Sequence, residues 1–152
     1  MYFHVRTPRI NLGQIIQPGA WGQLLRTFTN NSIPPPQNTQ VVLWEVALES
    51  ARRSIEPNQV SRLACTFVWE NLADATAFRQ QYRPAGVIHE VAPVGQEAAS
   101  YRGDFSLLSH DVAGGAFVDF MPQVADAYWR SPNPLMPERL YPGALTVIGH
   151  YP

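Results

Sequence analysis

The sequence predicts an α+β fold, and three observations carry that prediction. Short runs rich in β-branched and aromatic residues alternate with longer segments whose apolar residues recur at helical spacing. The linkers between strand candidates are too irregular for a doubly wound parallel sheet, and no glycine-rich phosphate fingerprint follows a strand. The 152 residues are 45% apolar and 15% charged, which suits one core held by packing with few surface ion networks. Residues 1–152 are therefore expected to form a single domain.

The first strand is read over Met1 to Val5, ended by Thr7-Pro8. Asn11-Leu12-Gly13 and Gln17-Pro18-Gly19 are turns around Ile15 and Ile16. Residues 30–38 read as a loop, with Pro34-Pro35-Pro36 favouring an extended conformation. Val41 to Arg53 has the apolar face of a helix, and Thr39 is a candidate cap. Arg62 to Trp69 alternates as a strand. Asn71 to Tyr82 places Leu72, Ala75, Phe78 and Tyr82 on one helical face, stopped by Pro84-Ala85-Gly86. Val87 to Ala92 is a strand, residues 96–103 are a polar loop, and residues 105–112 read either way. A helix is expected over Phe120 to Arg130. A proline-spread loop and a last strand, Ala144 to His150, follow it.

Bulk charge narrows the partners. The formal net charge is -1, arginines are scattered and lysine is absent. A nucleic-acid backbone thus gains no support as a bulk partner, although a small local patch could still handle one. No apolar stretch approaches the roughly 18 residues of a membrane span, so no membrane partner is expected. A lone Cys65 in an apolar run and the lack of a basic-then-apolar leader point to a cytoplasmic protein. An effector exported without a signal peptide is the alternative. Walker A, GxSxG, HExxH and paired CxxC patterns are missing, and His4, His89, His110 and His150 lack metal-ligand spacing, so no metal site is expected.

Several residues have both a structural and a functional reading. His4 is either a hydrogen-bonded strand histidine or a group aimed at a ligand, with Arg6 and Thr7 offering donors beside it. Phe67 and Trp69 lie two apart on one strand face, either as core or as a stacking floor for a planar heterocycle. Asp104 follows Arg102-Gly103, either in a surface turn or as a carboxylate presented to substrate, and Glu97 lies earlier in the same loop. Trp21 and Arg62 are core tryptophan and surface arginine, or they line a cleft.

The run Tyr2-Phe3-His4-Val5-Arg6-Thr7, followed by Leu12-Gly13-Gln14-Ile15-Ile16 and Pro18-Gly19, resembles the opening of the rifampin ADP-ribosyltransferases. Residues 65–78, 86–91 and 144–149 resemble their later strands and helix. Gly19-Ala20-Trp21-Gly22, Ser61-Arg62-Leu63, Arg102-Gly103-Asp104 and Tyr128-Trp129 resemble, in the same order, an uncharacterised bacterial family of the ADP-ribosyltransferase superfamily.

The resemblance implies an ADP-ribosyltransferase-like split, twisted antiparallel β core with peripheral helices and an NAD cleft. It implies mono-ADP-ribosyl transfer from NAD, the co-substrate, to an unidentified protein, nucleic-acid or small-molecule acceptor, as in a bacterial toxin or effector. His4 falls on the family's NAD-binding histidine and Asp104 on its acid, with Glu97 second. Val5-Arg6 replaces the family's single glycine before Thr7, and the second long strand has no tyrosine, so Phe67 or Trp69 would supply the ring. Arg6, Thr7, Trp21 and Arg62 complete the expected NAD contacts. The rivals are a non-catalytic NAD-binding or protein-interaction module, an RNA 2'-phosphotransferase that consumes NAD, and an NAD hydrolase.

Overall fold

A computed structural model describes residues 1–109 and 115–151. His110, the end of the 105–112 segment and Gly114 lie outside the described residues. The chain is α+β: seven strands form one antiparallel sheet, with helices packed on one of its faces. The strands are β1 (Tyr2–Arg6), β2 (Ile15–Ile16), β3 (Thr66–Trp69), β4 (Val87–Pro93), β5 (Tyr101–Asp104), β6 (Pro137–Tyr141) and β7 (Leu145–Tyr151). They lie in the order β2-β7-β4-β1-β3-β6-β5, so the first strand is central.

Side chains alternate across the sheet, and each face has its own cover. Phe3, Trp69 and Ile88 point to the face that receives the helix α3 (Leu72–Tyr82), packing with Ala75, Phe78 and Phe105. Further along that face, Leu140 and Phe67 meet α2 (Pro36–Ile55) and α4 (Phe117–Arg130) through Leu48, Ala125, Tyr128 and Trp129. The other face carries Tyr2, Ile16, Val68, Val91, Tyr141, Leu145 and Val147, covered by Ile10 and Ala98 from non-helical segments. We call these the helix-covered and the loop-covered faces.

Local chemistry sets the boundaries. The α2 helix begins at Pro36, five residues before the expected start, because proline is preorganised for a first turn where its missing N–H costs nothing. Thr39 is accordingly inside the helix and does not cap it; its hydroxyl donates to the Pro35 carbonyl. Asn71 caps α3, its side chain accepting from Asp74 N–H at 2.8 Å. The expected strand over 62–69 is divided. Ser61 caps a 3-10 turn, Arg62–Ala64, and only Thr66–Trp69 pairs in the sheet. Two expected loops also contain strands: β5 and β6 pair with each other from Tyr101↔Leu140 to Asp104↔Pro137. A short helix, α1 (Ala20–Leu25), was not legible as one. Its Gly22 lies so close to the main chain at Leu63 that an added Cβ would sit 2.0 Å from the carbonyl oxygen.

Among the described residues no helix is long and apolar enough to cross a membrane.

Candidate functional site

The candidate site is built from alternate residues of β1. Tyr2, His4 and Arg6 share the loop-covered face because residues two apart in a strand point the same way. His4 is partly buried and donates Nδ1–H to the Phe67 carbonyl at 2.8 Å. Burial pushes its pKa down to about 4; the Phe67 carbonyl opposes this, and His89 and Arg6 reinforce it. The ring is therefore neutral at pH 7, with Nε2 as its acceptor.

Arg6 is exposed and, among the described residues, has no hydrogen-bond or ion-pair partner. It opens onto a groove of about 460 Å³ between the end of β1, the segment after it, β2 and α1. Arg6, Arg9, Gln14, Gln17 and Gln23 supply its polar lining, and no aspartate or glutamate among the described residues borders it. Two guanidinium groups without a neighbouring acid give such a hollow a positive potential suited to an anion.

At the other end of β1 the Tyr2 hydroxyl donates to the exposed Glu97 carboxylate. Burial and this bond raise the Tyr2 pKa to about 12. The Tyr2 ring lies 5.7 Å from that of Tyr141, and the Arg139 guanidinium stands 5.5 Å from its centroid. Arg139 and Arg102 both pair with Glu70. One strand thus links a carboxylate, a neutral imidazole and a cationic groove.

The expected meeting of His4, Phe67 or Trp69, and Asp104 does not occur. Phe67 and Trp69 project to the helix-covered face. Trp69 is 2% exposed and packs its indole on Phe78 and Phe105, so it offers no stacking floor. Phe67 lies beneath the buried Arg62 guanidinium, 4.6 Å from Cζ to the ring centroid. Asp104 is also buried and holds a turn: its carboxylate accepts from the main chain of Ser106, Leu135 and Met136 and from the Ser106 hydroxyl. Burial raises the Asp104 pKa, but these bonds outweigh it and hold the group below its ordinary value. Every oxygen is occupied by the fold, which accounts for the residue without a ligand.

Arg62 belongs to a second polar centre, under the helices. It donates to Glu45, Glu138 and the Tyr128 hydroxyl, all buried. The Trp21 indole N–H donates to Glu45 at 3.0 Å, so Trp21 braces this cluster and not the groove. Burial raises the Glu138 pKa against the pull of Arg62. Thr7 stays near the groove end, its hydroxyl donating to the Ala85 carbonyl at 3.2 Å.

Sequence reasoning passed over Tyr2 and Glu138. Tyr2 carries a period-two signal with His4 that could have shown it. Glu138 depends on a strand register that no local pattern encodes. No family model matches the chain, and no curated protein matches it.

Proposed function

We propose that this chain binds NAD along the loop-covered face and transfers its ADP-ribosyl group to an acceptor. The observation that carries the reading is the alignment on β1: Glu97 held by Tyr2, then His4, then Arg6 at the mouth of an arginine-lined groove. The antiparallel sheet with helices on one face supports an ADP-ribosyltransferase-like reading of the fold.

In this reading the arginines take the diphosphate, and His4 Nε2 accepts from a ribose hydroxyl while Nδ1 stays on the Phe67 carbonyl. The bond between ribose C1' and nicotinamide breaks, and its electron pair leaves with the nicotinamide. The positive charge spread over C1' and the ring oxygen is stabilised by the Glu97 carboxylate. The acceptor nucleophile then bonds to C1' and gives up its proton to solvent. Glu97 takes the role expected of Asp104, because it is the exposed carboxylate of the two and lies on the histidine's side of the sheet.

Nicotinamide release from NAD, followed with mass spectrometry for an ADP-ribose adduct, tests this. Glu97→Gln and His4→Ala are each expected to lower release at least about tenfold while circular dichroism stays unchanged. Release that is absent in the folded wild type, or undiminished in Glu97→Gln, removes the transferase reading.

A second reading is favoured by the placement of Phe67 and Trp69. Without an aromatic stacking floor, the face would hold NAD as a binding module and leave it whole. Saturable NAD binding with no nicotinamide formed identifies that case.

A further inference from the structure

Three histidines stand in a row across the sheet. His4 of β1 faces His89 of β4, and His89 faces His150 of β7, with ring centroids 6.3 and 5.2 Å apart. Two of them grip one residue of the segment that follows β1. The Ile10 N–H donates to His89 Nε2 at 2.8 Å, and the Ile10 carbonyl accepts from His150 Nε2 at 2.6 Å. The Arg9 guanidinium donates to His150 Nδ1 at 2.9 Å.

These partners fix the tautomers, since a ring nitrogen that accepts an N–H carries no proton of its own. His89 therefore holds its hydrogen on Nδ1, toward the His4 carbonyl at 3.3 Å, and His150 holds its hydrogen on Nε2. Both rings are neutral while the contacts stand.

We propose that His89 forms a proton-operated latch on the groove wall, with Ile10 as its catch. A proton taken up at His89 Nε2 turns an acceptor into a donor. It expels the Ile10 amide and loosens residues 7–12. Beyond them Gly13 and Gln14 remain tied to Val147 through main-chain bonds, and β2 remains paired with β7. Pro8, Arg9 and Ile10 line the groove, so release dismantles one wall and leaves the sheet intact.

The surroundings favour opening over accommodation. Among the described residues, the charged and titratable groups against His89 are His4 and Arg6 from β1 and His150 from β7, and none is an acid. Glu90 of β4 points to the other face, where it accepts from the Tyr151 hydroxyl. Burial holds His89 below the ordinary imidazole range; the His4 carbonyl opposes this, and His150 and Arg6 reinforce it. The closed wall thus belongs to neutral pH and the open one to mild acid, whether or not NAD is the ligand of the groove.

Hydrogen exchange on the whole chain tests the latch, with protection factors corrected for intrinsic rates at pH 7.5 and 5.0. The peptide spanning 7–12 is expected to lose about tenfold or more of its protection at pH 5.0, since opening gains about tenfold per pH unit below the ordinary histidine value near 6.5. Peptides from β3 and β6 keep theirs. A glutamine amide accepts and donates without titrating, so His89→Gln abolishes the loss. Three results overturn the latch: equal protection of 7–12 at both pH values, simultaneous loss from β3 and β6, or an undiminished loss in a folded His89→Gln variant. If the variant does not fold, the wild-type comparison of 7–12 with β3 and β6 still decides.

Discussion

The two faces of the sheet carry two polar centres built on opposite rules. Under the helices, Arg62 is surrounded by Glu45, Glu138 and Tyr128, and every charge finds its partner inside the core. Among the described residues, no buried side-chain nitrogen or oxygen lacks a hydrogen-bond partner. On the loop-covered face, His89 and His150 are both bonded to Ile10 of one loop, His150 also to Arg9, and the Arg6 side chain has no partner among the described residues. A centre closed on itself stabilises and has nothing left to offer a ligand. A centre closed on a loop can be opened, and an unpaired arginine beside it can receive an anion.

Breaking the closed centre gives the largest effect. Arg62→Met leaves two carboxylates facing each other without a cation, and should cost about 3–5 kcal/mol in denaturant unfolding. A loss under 1 kcal/mol would mean that the cluster is not a unit. Asp104→Ala comes next. It deprives three main-chain donors and one hydroxyl of their acceptor, and is expected to cost about 1–3 kcal/mol with nicotinamide release per folded molecule unchanged. A selective loss of release at full stability would restore Asp104 to the chemistry.

The open centre is expected to respond to acid. The unfolded chain protonates its histidines near pH 6.5, whereas folded His4 resists until about pH 4. Between those values the unfolded state binds more protons. The contribution to stability is therefore full above pH 6.5 and is lost as pH falls toward 4. His4→Gln should flatten the melting temperature over that window; an unchanged slope would place the titration elsewhere. The smallest effect belongs to Arg6→Ala, which removes no internal contact. The denaturation midpoint should not move, while the affinity for inorganic diphosphate, read by calorimetry, should fall by about tenfold.

Much of the fold was legible. Tyr2-Phe3-His4-Val5, Asn71-Leu72 with its cap, and Val87 to Ala92 announce their elements through period and end signals. The misses share a cause. Pro137 sits in a proline-rich stretch that reads as loop, yet β6 forms because Glu138 and Leu140 have partners waiting on β3, α2 and α4. Likewise Tyr101-Arg102-Gly103-Asp104 reads as polar turn, but Gly103 is seated against the Tyr128 ring, where an added Cβ would stand 2.1 Å from the ring atoms.

The sequence by itself determined the α+β class, the strand that bears His4, and the short list of acids and aromatics that could serve it. Which of them face His4 was decided only by tertiary structure. Strand alternation gives each residue a side relative to its own neighbours, but the register and packing between strands decide what shares that side. That pairing turned Phe67 and Trp69 into core beneath the helices, bound Asp104 into a turn, and set His4, His89 and His150, distant in sequence, into one row.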